Sequence, residues 1–276
     1  MERKRHLIAL DLDGTLLTNE KKISSHTKNV ILKAKEQGHV VVIATGRPHR
    51  SSILYYRQLG LKTPMVNFNG ALIHHPQDKK WEGSHNPLEQ KTALNIVDAC
   101  YDLSVNNLMA EVQDNVFLDK YDKSLLDIFL HSSEELPYKI GSLRKELKED
   151  PTSLLIYPRE EHIDELRNLL DDQHAELIEH RKWGAPWNII EIVKKGMNKA
   201  VGLQKIAQYY NIPKERIIAF GDEDNDLEMI DYAGVGVAMG NGIDELKSIA
   251  KHITDTNEED GIGNFIKTYL NIHLHE

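Results

Sequence analysis

Read for the spacing of apolar and polar positions, the chain shows two textures. At its beginning and again from about Lys195 onward, short unbroken apolar runs alternate with stretches of helical spacing. That pattern predicts a parallel sheet whose strands are buried on both faces. Leu7 to Leu10 is the first such run, and Asp13-Gly14 closes it as a turn pair. Residues 24–38 carry Val30, Ile31, Ala34 and Lys35 at helical spacing, with Ser24 or Ser25 as N-cap and Gly38 as the stop. The β-branched run "HVVVIATG" (39–46) is too short for a helix and completes a βαβ unit. A helix from about Pro48 to Leu59 then leads into "TPMVNFNGALIHH", read as a strand, a turn at Asn69-Gly70 and a second strand.

From about Gly83 the pattern changes. "NPLEQKTALNIVDACYDL" has helical spacing, and "NNLMAEVQDNVFLDKYD" alternates around Gln-Asp-Asn as an antiparallel hairpin. "TSLLIYP" reads as a strand, "EEHIDELRNLLDDQ" as an amphipathic helix and "AELIEHRKWGAPWNIIEIV" as two more strands, with Trp183 and Trp187 expected to pack at the bend between them. After Lys195 come a helix in "MNKAVGLQKIAQYYNI", the buried strand "RIIAFGD", a short helix in "NDLEMIDYAG", the strand "VGVAMGNG", and helices near 243–250 and 262–269. The expected fold class is α/β: residues 1–83 and 190–276 form a Rossmann-like parallel-sheet core, and residues 84–189 an inserted α+β cap.

The totals narrow the function classes. A chain of 276 residues with 40% apolar and 28% charged positions builds packed cores, as one large domain or two smaller ones. A formal net charge of −9 removes the bulk electrostatic case for nucleic acid or an anionic membrane as partner. Cys100 is the sole cysteine, so neither an internal disulfide nor a cysteine-based zinc site can form. The apolar stretch after "MERKRH" ends at Asp11, too short for a signal peptide or a bilayer span, and the cytoplasm is the expected compartment.

Two buried strands run into acids. The first meets Asp11 and Asp13, which point to one side if the strand continues through them; the other meets Asp222, with Asn225 and Asp226 close behind. In an open parallel sheet, sites lie at the carboxyl ends of strands, so two strands deliver acids to one rim. A third ends at Thr45-Gly46, a hydroxyl beside a glycine whose amide a ligand can approach. Carboxylates from separate strands suit Mg²⁺, which keeps only one or two of them and completes its shell with water and phosphate oxygens. Taken singly, each feature has an ordinary explanation: Asp-Gly as a turn, "ATGR" as a loop, "GDEDND" as a solvated acidic loop without the EF-hand pattern, and Lys199 as a solvated helix lysine. Their coincidence in order at strand ends is what carries weight. The histidines, His74-His75 included, have no spacing that converges on a metal.

The set "DLDGTLL" (11–17), "ATGR" (44–47), "KGMNKAVGL" (195–203) and "GDEDNDLEM" (221–229), with "NFNGALI" (67–73) and the tail 233–263, resembles the haloacid dehalogenase-like superfamily and within it the Cof-type phosphatases. The resemblance implies a Mg²⁺-dependent phosphatase of small phosphorylated metabolites that works through an aspartyl-phosphate. Asp11 would be the nucleophile and Asp13 the general acid and base. Asp11, the Asp13 main-chain carbonyl and Asp222 would hold the metal, with Asp226 and Arg47 in support. Leu12, Thr45, Gly46, Lys199 and Asn225 would bind the phosphoryl group. Mg²⁺ and Lys199 would then neutralise charge locally in an otherwise acidic protein. Glu223 departs from the small residue often found there and would crowd or recharge the entrance. The insertion would close over the rim and select the substrate. A phosphomutase is the nearest alternative chemistry, and a non-catalytic phosphometabolite sensor the alternative of another class.

Overall fold

The computed structural model describes residues 4–130, 138–182 and 188–274, so Trp183 and Trp187 lie outside the described residues. By internal contacts the chain forms two units, one of residues 1–46, 53–83 and 198–276, the other of residues 47–52 and 84–197.

The chain opens with β1 (Leu7–Leu10), all four side chains buried. In α1 (Ser25–Glu36), the Ser24 hydroxyl accepts from the Thr27 amide as N-cap, and Gly38, at φ +90°, lets the chain turn back into β2 (Val40–Ile43). Next come α2 (His49–Gln58), β3 (Met65–Asn67), a tight turn over Phe68–Gly70, and β4 (Leu72–His74), which pairs antiparallel with β3.

The inserted stretch begins with β5 (Ser84–His85). Ala93, Ile96, Val97 and Cys100 form the buried stripe of α3 (Gln90–Asp102), at the spacing expected of a helix packed on one face. The expected hairpin is β6 (Asn107–Val112) and β7 (Asn115–Leu118), with Gln113 at φ +52° in its turn. Then follow α4 (Lys123–Leu130), β8 (Tyr138–Ile140), α5 (Leu143–Glu146), β9 (Ser153–Tyr157), α6 (Ile163–His174), β10 (Ile178–Lys182) and β11 (Ile190–Lys194). Six strands make one sheet in the order β10-β11-β9-β6-β7-β8. The expected restart of the core at residue 190 falls inside this sheet: Ile190 and Ile192 are fully buried in the cluster that α3 and α6 cover, and β11 pairs with both β10 and β9. A buried ion pair joins Arg50 and Glu111 in the same unit; Glu111 also accepts from the Ser153 hydroxyl at 2.8 Å, and the Arg50 amide donates to Asp114 at 2.9 Å.

The remaining elements are α7 (Lys199–Tyr209), β12 (Ile217–Gly221), α8 (Leu227–Tyr232), β13 (Val235–Ala238), α9 (Asp244–Ile249), β14 (His252–Ile253) and α10 (Gly261–Tyr269). The first unit's sheet runs β14-β13-β12-β1-β2, with every pairing parallel. Alternation along β1 and β12 builds a core on each face. Ile8, Leu10, Ile218 and Phe220 pack with residues of α1 and α10, while Leu7, Ala9, Ile217 and Ala219 pack with residues of α7 and α8. Burial of each large side chain contributes on the order of 2 kcal/mol. These two strands lie side by side inside the sheet, and their carboxyl ends are where the acids emerge. Among the described residues no helix is long and apolar enough to cross a membrane.

Candidate active site

Asp11 follows β1 directly, and its amide still donates to the Phe220 carbonyl at 3.3 Å, carrying the ladder one residue beyond the strand. Asp222 follows the neighbouring β12. Asp226 stands in the short turn before α8. Oxygens of the three buried acids lie within 4.8 Å of one another. Lys199, the first residue of α7, is 0% exposed; its ammonium donates to Asp11 Oδ1 at 2.7 Å and to Asp226 Oδ1 at 2.8 Å. The lysine that helical position alone would place in solvent is thus the only cation bonded to the cluster among the described residues.

The acids divide by what their oxygens already do. Asp226 Oδ2 accepts the main-chain amides of Asp222 (3.0 Å) and Glu223 (3.2 Å), so with Lys199 on Oδ1 both its oxygens are committed to shaping the loop. The Glu223 carboxylate answers by accepting the Asp226 amide, a reciprocal cap that gives this longer acid a structural task. Asp11 and Asp222 each spend one oxygen on a hydrogen bond within the described residues, Asp11 to Lys199 and Asp222 to the Thr15 hydroxyl at 2.5 Å. Gly14, at φ +73°, makes room for this arrangement, since a Cβ there would lie 2.1 Å from Asp222 Oδ2.

Burial pushes the Asp11 carboxyl up to about 7 even though the Lys199 charge pulls it down, with Asp226 and Asp13 adding to the rise. Burial, then repulsion from Asp11 and Asp226, raises Asp222 to about 8 against the Thr15 hydrogen bond and the Lys199 charge. Burial works against the charge on Lys199, but Asp11 and Asp226 more than offset it and hold its ammonium above the ordinary range. Three carboxylates facing one ammonium are short of positive charge, and their donors are hard oxygens. That set fits a divalent cation such as Mg²⁺, with Asp11 and Asp222 as the acids that have an oxygen to offer.

Thr45 is buried just beyond β2; its amide donates to Val66 at 2.9 Å and its carbonyl accepts from Asn69 at 3.2 Å. Gly46 lies beside Asn69 and Asn225, with a Cβ there falling 3.2 Å from the Asn69 amide group and 3.5 Å from Asn225 Nδ2. Leu12 is a core residue by its side chain, which leaves its main-chain amide as the group able to meet a ligand. The two-residue spacing of Asp11 and Asp13 does not act through a continuing strand. β1 ends at Leu10, Asp13 bridges to Leu17 after the turn, and its half-exposed carboxylate pairs with Lys21 at 2.7 Å. Arg47 belongs to the second unit, where Nη1 donates to the Ser51 carbonyl at 3.4 Å. Sequence reasoning overlooked Thr15, Lys21 and Asn69. Thr15 lay in view inside "DLDGT" and Asn69 inside "NFNG", but neither residue type announces its partner.

The sequence profile of the haloacid dehalogenase-like hydrolases matches residues 8–266. The 5-amino-6-(5-phospho-D-ribitylamino)uracil phosphatase YitU of Bacillus subtilis (strain 168) is 54% identical over 272 residues, covering 99% of this chain and 100% of its own. A second protein of that organism, YcsE, carries the same phosphatase name at 31% identity, covering 96% of this chain and 95% of its own. Among solved structures, a haloacid dehalogenase-like hydrolase of B. subtilis superposes with a TM-score of 0.80 at 28% identity, covering 95% of this chain and 99% of that one. With the acids at the ends of its two central strands and this match along nearly its whole length, the chain belongs to the haloacid dehalogenase-like hydrolases and is one of their phosphatases.

Proposed function

We propose that this phosphatase is Mg²⁺-dependent and hydrolyses small phosphomonoesters through a phosphoryl group carried on Asp11. The observation that carries the reading is the buried set Asp11, Asp222, Asp226 and Lys199, three acids around one ammonium beside the carboxyl ends of adjacent strands. Asp11, Asp222 and the Asp13 main-chain carbonyl would hold the ion. Bound there, Mg²⁺ would neutralise phosphate charge and help align it for attack. Asp11 attacks phosphorus with a carboxylate oxygen as the ester oxygen departs, and Lys199 orients that carboxylate and pulls it toward its ionised form against the effect of burial. Asp13 gives its proton to the leaving oxygen, then takes one from the water that cleaves the acyl phosphate and frees Asp11. Thr45, Gly46, Leu12 and Asn225 supply neutral donors around the phosphoryl oxygens, and Lys199 adds positive charge.

For the substrate we infer a phosphate on a polyol chain joined to a heterocycle, and first among such compounds 5-amino-6-(5-phospho-D-ribitylamino)uracil. Two relatives named for that activity support this, one of them more than half identical over its whole length. The second unit, outside the charge cluster, is the part of the chain we assign to telling substrates apart. The test is phosphate release from that compound and from simple sugar phosphates, with Mg²⁺ and with chelator, by wild type and Asp11→Asn. Turnover that needs both Mg²⁺ and Asp11 and is fastest on the ribitylaminouracil is the expected result. A folded Asp11→Asn protein with wild-type activity would refute the covalent route.

A further inference from the structure

The turn between β3 and β4 has no part in the chemistry above, yet its backbone is unusual. Phe68 and Asn69 both sit in the left-handed region at φ 50°, followed by Gly70 at φ +98°. Left-handed angles cost a residue with a side chain about 1–2 kcal/mol, and a bulky phenylalanine is rarely found there. The fold over-determines the turn: Phe68 is 0% exposed, Asn67 pairs with Leu72, and the Asn67 Oδ1 is 3.0 Å from His74 Nε2. Strain of this kind persists where the surroundings hold it, and it clusters at ligand sites.

What surrounds this turn is the phosphate site assigned above. The Asn69 amide donates to the Thr45 carbonyl at 3.2 Å, and Asn69 Oδ1 accepts from Asn225 Nδ2 at 3.1 Å. A Cβ on Gly70 would lie 2.2 Å from the carbonyl oxygen of Asn198, the N-cap residue immediately before Lys199. A Cβ on Gly46 would lie 3.2 Å from the Asn69 amide group. Three phosphate-binding positions, Thr45, Gly46 and Asn225, and the residue that precedes a fourth, Lys199, therefore meet one strained turn. An asparagine amide has a donor end and an acceptor end, and nothing in its own shape selects between them. Because Asn69 presents its oxygen, Asn225 must turn its NH₂ this way, which commits one proton and leaves the other to donate. Asn69 is itself 3% exposed, so water cannot substitute as that acceptor without a change in packing.

We propose that Asn69 is a positioning residue, which orients the Asn225 amide toward the transferring phosphoryl group while its turn holds Thr45 and the start of α7 in register with it. This rests on the phosphatase reading and adds to it a residue that does not touch the substrate. The decisive variant is Asn69→Gly, which tolerates the left-handed backbone and removes the side chain that accepts from Asn225. It should lower kcat/KM about 10-fold, the value of one hydrogen bond, and weaken inhibition by inorganic phosphate by a similar factor. In an Asn225→Ala background the same change should cost less than about 2-fold, since the group it acts through is gone. Asn69→Ala should match Asn69→Gly in activity while melting lower, because alanine bears the backbone strain.

Wild-type kcat/KM in Asn69→Gly would overturn the inference, as would losses that multiply across the two backgrounds or that follow melting temperature across the glycine and alanine variants. Failure of the underlying reading looks different: wild type without Mg²⁺-dependent turnover, or Asn225→Ala with full activity. In that event a crystal structure of Asn69→Gly still decides the positioning role. A displaced Asn225 amide supports it, and an unmoved one refutes it.

Discussion

Moving the chelated protein from about pH 5 to about pH 7 should lower its stability, the reverse of what paired surface acids do. In the unfolded chain Asp11 and Asp222 titrate near 3.8, whereas in the fold burial and mutual repulsion hold them at about 7 and about 8. Below 3.8 both states carry the protons, so there is no slope. Between 3.8 and about 7 the folded protein keeps protons that the unfolded chain has released, so each pH unit costs about 1.4 kcal/mol per group. For Asp11 that window spans roughly three units, about 4 kcal/mol in all; because the two acids titrate as a pair, their contributions do not simply add. Taking one group as the measure, the step from about pH 5 to about pH 7 removes roughly 3 kcal/mol. Lys199 contributes no slope here, since its raised value keeps it charged in both states throughout. Mg²⁺ held by these acids as proposed would compete with their protons, so the stability it adds should grow over the same window. The assay is urea unfolding at several pH values in chelator and in Mg²⁺, for wild type and Asp222→Asn, which has no proton to release at that position. The variant should show a shallower slope and a smaller Mg²⁺ increment. Stability in chelator that is flat or rising from about pH 5 to about pH 7, with the same profile in Asp222→Asn, would refute the reasoning.

Asp13→Ala should slow turnover by about 10²- to 10⁴-fold and accumulate phospho-enzyme from substrates with good leaving groups, trapped by rapid acid quench; equal first-step losses for good and poor leaving groups would count against a proton-transfer role. Lys199→Met leaves Asp11 and Asp226 buried without their cation, which should cost about 3–5 kcal/mol in chelator by urea unfolding. In the second unit, Glu111→Ala should cost about 3–5 kcal/mol by removing the carboxylate that pairs with the buried Arg50, whereas Arg50→Met combined with Glu111→Leu should recover most of that; an equal loss in both would show that the charge is not what matters.

Much of the first unit was legible in the chain because its strands are buried on both faces. "LIAL", "VVVI" and "IIAFG" are apolar without interruption, and an acid at the end of such a run is visible as a break. Lys199 was legible only through its motif, since a lysine at a helix start ordinarily faces water and its burial depends on acids 188 and 27 residues away. The spacing of Asp11 and Asp13 suggested a shared face, but the turn at Gly14 sends Asp13 to Lys21. Asn69-Gly70 read as a turn, and the left-handed angle of Asn69 fits that pair, but the same angle at the buried Phe68 is one that no local pattern announces. In the second unit, β8 has three exposed residues and α5 a single buried one, so neither carries the periodic burial that makes an element readable. β11 looked like the return of the core because its apolar run resembles the core's strands, and only its pairing with β9 and β10 shows which sheet it completes.

The order of the central strands also bears on how the chain comes to fold during synthesis. Translation delivers β1 early, but β12, its hydrogen-bonded neighbour, emerges only after the whole inserted stretch; Thr15 and Asp222, which share one hydrogen bond, are 207 residues apart. Residues 84–197, by contrast, follow one another without a break, and every strand of their six-stranded sheet is present before β12 exists. Closing a long loop must precede the contacts that reward it, so the nascent chain can complete the inserted sheet while β1 still waits for its partner. The cluster of acids forms only when the last third of the chain joins the first, so a prematurely terminated product cannot assemble it.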